Sequence, residues 1–344
     1  MQKKLNKGNL LDSKGRLVQS GYATSLVKKY DRKQIKAAKM RIKEWDYYLI
    51  YNSKYAVAIT VADNSYMGML SASVINFETK QEKTSSIIEL FTNGHYKLPN
   101  TSVKGDILVK NKQATFEIKN NNKGCRKISV EYKAFDGDKA LNVDLVLMDE
   151  PHESMVIATP FDKKPKAFYY NQKIVGFSAE GCVRYGDEEI NFSKGDSVAL
   201  LDWGRGVWTY KNTWFWSSAA GEVDGHKIGF NLGYGFGNTS NATENMAFYD
   251  GYATKLEDVT FEIPKDEKGK YDYLKPWKIT SNDGALELDF EPIINRHSDT
   301  NLLVLRSNQN QVFGKFSGKI VYNKNRIVEI KDLIGFAEVV FNKW

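Results

Sequence analysis

Cysteine, histidine and proline are scarce in this chain of 344 residues, which holds two, four and seven of them. Cys125 and Cys182 have no close spacing that would suit a zinc site or a redox pair, and two cysteines make no disulfide framework, so a reducing compartment is expected. His95, His152, His226 and His297 lack a histidine partner at i+2 or i+4, which speaks against a histidine metal cluster. Neither a metal nor any other cofactor is expected. His226 follows Asp224-Gly225 in a turn and is expected at the surface, while His152 is a secondary site candidate. No Gly-x-Ser-x-Gly elbow occurs, which disfavours nucleophilic hydrolase chemistry. No run approaches the roughly 18 apolar residues of a membrane helix. The basic start through Lys7 continues into Leu10-Leu11-Asp12 without the apolar core of a signal peptide, so a cytoplasmic location is expected.

What is present is charge of both signs and an abundance of aromatics. Lysine and arginine number 49 against 42 acids, a net charge of +7, but they are interspersed, and runs such as Lys163-Lys164-Pro-Lys166 and Lys324-Asn-Arg326 are short. Solvated loops explain them, and a nucleic-acid partner is not expected. With 42% hydrophobic and 13% aromatic residues the chain can bury a large core. Its length exceeds the roughly 100 to 200 residues usual for one domain, so two packed β units are the natural expectation.

Asp31 to Ile42 reads as a helix, with Asp31 as cap and Ile35, Ala38 and Ile42 on one face. After Trp45 short β-branched and aromatic runs alternate with turns almost to the end. They are Tyr47 to Ala62, Gly68 to Phe77, Ile107 to Val109, Ala114 to Ile118, Ile128 to Phe135, Leu141 to Met148, Met155 to Pro160 and Phe168 to Phe177. Thr213 to Ala219, Ile228 to Leu232, Glu257 to Ile263, Ala285 to Phe290, Leu302 to Ser307, Gly314 to Tyr322 and Ile327 to Ile330 continue the rhythm, with Asp136-Gly137, Asp224-Gly225 and Asp283-Gly284 as turns. Such a series implies an all-β, mainly antiparallel barrel or sandwich. The break between units is expected between Pro160 and Asp196, giving a 1–44 segment with the short helix and domains over 45–185 and 186–344.

Asp202 to Asn245 is expected to wall a ligand pocket. Four of the seven tryptophans, Trp203, Trp208, Trp214 and Trp216, fall within fourteen positions there. Trp214 and Trp216 share one face of a strand. Asp202 and Arg205, beside two glycines, either pair and fix a loop or serve as general acid/base and its orienter. The glycines of Gly229-Phe-Asn-Leu-Gly233 lack the lysine and helix of a phosphate loop. They leave Asn231 beside residues without side chains, where a small ligand would have room. Glu244 is a second candidate acid or base, or a solvated loop residue, next to Asn245. Gln311 and Glu338 either face the same cavity as Asn231 or close the barrel by hydrogen bonds.

The blocks Leu11-Asp-Ser-Lys-Gly15, Gly21-Tyr-Ala23, Lys43-Glu-Trp-Asp-Tyr-Tyr48, Asp202-Trp-Gly-Arg-Gly-Val-Trp208, Thr243-Glu-Asn245, Gln311 to Gly318 and Glu338 to Trp344 resemble domain-of-unknown-function family 2804 over nearly the whole chain. Phe168-Tyr-Tyr-Asn171, Gly181, Leu201-Asp-Trp-Gly204 and Trp214-Phe-Trp216 ahead of Asp224-Gly225 are more distantly similar to the carotenoid hydratase, tocopherol cyclase and AttH-like superfamily. That resemblance implies two lipocalin-like β barrels or curved sheets with a pocket at their junction. It also implies acid-catalysed hydration, isomerisation or cyclisation of an apolar substrate. The superfamily's Asp-His-Glu-Trp-Gly is here Asp202-Trp203-Gly204, and Phe215 stands where a middle aspartate would.

The expected function is binding, and conversion by acid/base chemistry, of a small apolar or amphipathic molecule, with Asp202 and Glu244 catalytic and Trp203, Arg205, Trp208, Trp214, Trp216, Asn231, Asn245, Gln311 and Glu338 lining the pocket. If it is an enzyme, it is lyase- or isomerase-like. A non-catalytic lipocalin-like carrier is the alternative, and a surface-interaction module with an exposed aromatic patch is a third reading.

Overall fold

Three strands of this chain, Ile42–Tyr51, Val198–Val207 and His226–Tyr234, are buried on both faces along most of their length, and Lys211–Val223 is so from Trp216 to Ala220. Lys139–Met148 instead alternates, with Leu141, Val143, Leu145 and Leu147 inside and polar residues between them. Alternation marks a sheet with one wet face, and its loss marks strands covered on both sides. In the computed structural model, which describes residues 1–121, 123–302, 305–323 and 325–343, the doubly covered strands are those along which two sheets pack against each other.

The first sheet has 13 strands and runs from Gln81–Leu90 through Met67–Asn76, Tyr55–Asp63, Ile42–Tyr51, Val198–Val207, Phe168–Tyr185, Lys139–Met148, Arg126–Asp136 and Ala114–Asn120 to Ile107–Lys110. Phe168–Tyr185 carries this curvature. Its first half pairs with Val198–Val207 and Met155–Pro160, its second with Lys139–Met148 and Glu188–Phe192, and the register shifts between Val175 and Phe177, where Gly176 has φ +100°. A bulge of this kind bends a strand so that it can serve two directions of the sheet. The second sheet has nine strands in the order Tyr252–Lys255, Met246–Tyr249, His226–Tyr234, Lys211–Val223, Arg326–Lys343, Leu305–Tyr322, Leu286–Leu302, Trp277–Ser281 and Val259–Glu262. Both sheets are antiparallel throughout and curve into half-barrels, so the chain is all-β with two curved sheets.

The sheets change between Val207 and Lys211, beyond the boundary expected at 185/186, because Glu188–Phe192 and Val198–Val207 hydrogen-bond to Phe168–Tyr185. The expected helix over Asp31 to Ile42 is two single 3-10 turns, Arg32–Gln34 and Lys39–Arg41, although Asp31 does cap the first by accepting from the Lys33 amide at 2.9 Å. Ile42 already belongs to a strand. The run Tyr47 to Ala62 divides into two strands at Asn52, whose side chain accepts from the amides of Lys54 and Tyr55. The Asp224-Gly225 turn closes a hairpin as expected, and Lys110 to Gln113 turns between two paired strands as well. The strand expected over Leu302 to Ser307 is the tip of a long hairpin in which 303 and 304 lie outside the described residues, as do Lys324 and Trp344.

One hydrophobic cluster fills the first sheet and continues through Trp216, Ala220, Phe236, Phe313 and Phe336 of the second, while a separate cluster around Phe230, Trp277, Phe290 and Phe316 fills the second sheet alone. The seam between sheets is therefore part of the first core. The N-terminal segment crosses to the second sheet, where the Lys3 amide donates to Asn241 O at 2.7 Å and Gln2 accepts from the Thr243 amide at 2.8 Å.

Candidate functional site

Residues directly opposite one another in an antiparallel sheet point to the same face. In the first sheet Lys173, Asp202 and Tyr47 are such a row, and in the second Gly233, Trp216, Glu338, Gln311 and Arg296 form another. The two rows meet across the seam. Lys173 Nζ lies 3.8 Å from the centre of the Trp216 ring, the Tyr47 ring packs edge-on to Trp216 at 6.1 Å, and Gln311 Nε2 donates to the Tyr47 hydroxyl at 3.2 Å. Positions more than 260 residues apart in sequence thus share one site.

Three carboxyl groups converge on this seam. Asp202 pairs with Lys173 at 2.7 Å and accepts from Asn171 Nδ2 at 2.6 Å. Glu338 accepts from Trp214 Nε1 at 3.0 Å and Gln311 Nε2 at 3.2 Å. Glu244 sits over Gly233, where a Cβ would come within 2.9 Å of its carboxyl carbon. Among the described residues neither Glu244 nor Glu338 has a cation within ion-pair distance. Burial, more than any neighbour, pushes both above the usual glutamate range, and the Asp202 charge pushes the same way. Burial together with the three carboxylates likewise holds the Tyr169 hydroxyl protonated well above its ordinary value. Burial raises Tyr47 to about 12. No three of these side chains come close enough to form a metal-binding group among the described residues.

Aromatic rings wall this centre. Trp45 stacks on Tyr169 and meets Trp208 edge-on at 5.1 Å, and Phe236 touches Tyr169, Trp208 and Trp214 at 4.7 to 5.4 Å. Asp202, Glu244 and Glu338 each retain 7 to 8% exposure, and Tyr47, Tyr169, Trp208 and Trp216 retain 6 to 8%. A cleft of about 540 Å³ opens on the same seam between Val175 to Ser178 and Ala220 to Glu222, with His152 on its wall. It holds none of the tryptophans, Asp149 and Glu150 on its lining pair with Lys194 and Arg126, and the candidate chemistry lies two residues further along the same strand faces, at Lys173 and Asn231.

The expected residues separate into two groups. Asp202, Trp208, Trp214, Trp216, Asn231, Glu244, Gln311 and Glu338 come together at the seam. Trp203 and Arg205 lie an odd number of positions from Asp202 and face the first sheet's own core. Arg205 does not pair with Asp202. It pairs with Asp46 at 2.8 Å, donates to the carbonyls of Trp45, Gly204 and Pro99, and has no exposure. The Asp202 stretch is a strand, not the loop that its glycines suggested. Asn245 is fully used in holding backbone, accepting from the Gly233 amide and donating to Glu257 O. Asn231 is likewise engaged, accepting from Trp216 Nε1 at 2.8 Å and donating to Glu244 O at 2.9 Å. The room expected beside it is filled by Glu244 over Gly233 and by Val175 over Gly229.

Sequence reading missed Lys173, Tyr47, Tyr169 and Arg296. A lysine inside the apolar run Phe168 to Phe177 was a usable signal, since a buried strand keeps a cation only if it is paired. Tyr47 and Arg296 carried none, because their partners are fixed by register across strands distant in sequence.

No curated protein matches the chain in sequence. Its fold is shared with solved crystal structures. Kievitone hydratase from Nectria haematococca superposes with a TM-score of 0.52 at 12% identity, over 88% of each chain. An AttH-like protein from Nitrosomonas europaea superposes with a TM-score of 0.55 at 11% identity, over 92% of this chain and 98% of that one. Residues 2–344, which comprise both sheets and the seam between them, match the family described as Domain of unknown function (DUF2804), and the chain belongs to that family.

Proposed function

We propose that this protein binds a small apolar or amphipathic olefin at the seam and converts it by acid/base chemistry, as a hydratase or isomerase. The observation that carries this reading is the pair of buried glutamates without cation partners inside an aromatic wall. Glu244, whose carboxyl lies over Gly233 and beside Asn231, is the proton donor, while Asp202, held by Lys173, is the charged partner and Glu338 is held in place by two N–H donors. Protonation of a double bond by Glu244 leaves a carbocation on the substrate and a carboxylate on the protein. Aromatic rings of the seam, Trp214 among them, stabilise a cation at that place. Water then adds to the cation and returns its proton to Glu244, or a neighbouring carbon loses a proton and the double bond has moved. The fold shared with a hydratase supports the reading at the level of architecture, and the free thiols Cys125 and Cys182 suit a reducing cytoplasm.

Purified protein incubated with olefinic compounds in heavy water tests it, with mass spectrometry reading added water or deuterium. Glu244→Gln is expected to abolish turnover while tryptophan fluorescence still reports binding. Binding without turnover by the wild-type protein across the panel would make it a carrier, a reading favoured by the mutual hydrogen bonds of Trp214 with Glu338 and Trp216 with Asn231. Absence of any binding would remove both readings.

A further inference from the structure

A second cavity, of about 310 Å³, opens beside the end of the strand Val198–Val207 and is lined by Arg16, Ala37, Arg41, Lys164, Pro165, Lys166, Ala167, Val207 and Trp208. Four of these nine residues are cations and none is an acid. Among the described residues no carboxylate lies within ion-pair distance of any of the four. The nearest acids on the same segments are otherwise engaged. Asp12 accepts from the backbone amides of Lys14 and Arg16, and Asp162 accepts from Asn238 Nδ2. Cations held together without counter-charge repel one another, an arrangement relieved by a bound anion.

The frame of the pocket is built, although its lysines are exposed. Arg41 donates through Nε and Nη2 to the Trp208 carbonyl, and Lys166 Nζ donates to Lys36 O at 3.3 Å. The loop that carries Lys164 and Lys166 is anchored by Phe161, which packs edge-on against Phe236 at 5.5 Å, and by the Asn238 amide, which donates to Pro160 O at 2.8 Å. Phe236 is the ring that touches Tyr169, Trp208 and Trp214. The basic pocket and the carboxylate centre are thus joined by one continuous aromatic wall, Trp208 to Trp214 to Glu338.

Placement along the strands gives the separation. Val207, which lines the basic pocket, lies five residues from Asp202 on the same strand, roughly 16 Å at about 3.3 Å per residue and on the opposite face, while Trp208 after it lines the pocket and meets Trp214 of the seam. The cations of the pocket and the unpaired carboxyl groups of the seam are thus set apart along the strand, with the Trp208 and Trp214 rings between them.

We infer that the pocket of Arg16, Arg41, Lys164 and Lys166 is a subsite for the anionic headgroup, a carboxylate or phosphate, of an amphipathic ligand whose hydrocarbon body runs along the Trp208, Phe236 and Trp214 wall toward Glu244 and Glu338. This inference rests on the seam being the ligand pocket and adds the chemical class of the ligand. Guanidinium and ammonium groups at the mouth select the charge, and the rings select the chain.

Binding of dodecanoate, dodecyl phosphate and dodecanol, followed by tryptophan fluorescence at low and high salt, tests it. The wild-type protein is expected to bind the two anions at least tenfold more tightly than the alcohol, with the advantage shrinking as salt rises. The exposed triple substitution Arg16→Gln, Lys164→Gln, Lys166→Gln is expected to remove that advantage and leave dodecanol binding unchanged. Preference for the phosphate over the carboxylate, or the reverse, identifies the headgroup. Equal binding of anions and alcohol by the wild-type protein, or an advantage that survives the triple substitution, would overturn the subsite and leave the apolar seam standing. Failure of all three probes to bind would overturn the seam reading as well.

Discussion

At the scale of single residues the site is a problem in charge. Lys173 and Asp202 are both nearly inaccessible, and a buried ion pair of this kind contributes little net stability while either half alone is costly. Lys173→Met is therefore expected to destabilise the protein by about 3 to 5 kcal/mol, and adding Asp202→Asn to recover much of that loss. Urea denaturation of the two variants measures it, and additive losses would show that the pair is not coupled. Glu244 and Glu338 behave differently because burial raises their proton affinity. The folded state then holds these protons more tightly than the unfolded chain. Their contribution to stability is full below the ordinary glutamate range and is lost as pH rises through the folded values. Glu244→Gln with Glu338→Gln is expected to flatten the fall in stability as pH rises above the ordinary glutamate range relative to the parent, with unfolding midpoints as the readout. A steeper fall in the double variant would contradict the raised values.

At the scale of elements, the glycines of the seam strands make room for neighbours across the strand, and the positive φ of Gly176 accommodates the bulge. A Cβ at Gly204 would lie 1.9 Å from Trp45, whose ring occupies the space beside Asp202's strand. Gly204→Ala must displace that ring from Tyr169 and Trp208, and overpacking of this kind costs about 1 to 3 kcal/mol. Calorimetry together with near-ultraviolet circular dichroism would register both the loss and the altered tryptophan environment. An unchanged spectrum would mean that the strand, and not the ring, gives way. Gly233 has the same role for Glu244, so Gly233→Ala is expected to lower ligand binding at the seam more than it lowers stability, read by fluorescence titration beside urea unfolding.

At the scale of the whole molecule, the seam belongs to the first sheet's hydrophobic cluster, and the N-terminal segment is bonded to the Asn241 to Thr243 stretch of the second sheet. Separating the sheets would expose Trp216, Phe313 and Phe336 along with the ion pair. The two sheets are accordingly expected to unfold in one transition, with tryptophan fluorescence and far-ultraviolet circular dichroism coinciding in urea. Two resolved transitions would show that the seam is the weaker interface. The β class, most strands and many of the residues that meet at the seam were legible in the sequence, because alternation, turn dipeptides and a density of tryptophans are local signals. The face on which Arg205 sits was not. It depends on whether Leu200 to Val207 is a loop or a strand, and Gly204 and Gly206 point toward a loop unless Trp45 is known to need the space. Nor could the sequence say that Lys173 answers Asp202, or that Gly233, Trp216, Glu338, Gln311 and Arg296 stand in one row. Register and the packing of one curved sheet on another decide those neighbours, because backbone hydrogen bonding between strands is the same whatever the side chains are and only burial selects the alignment.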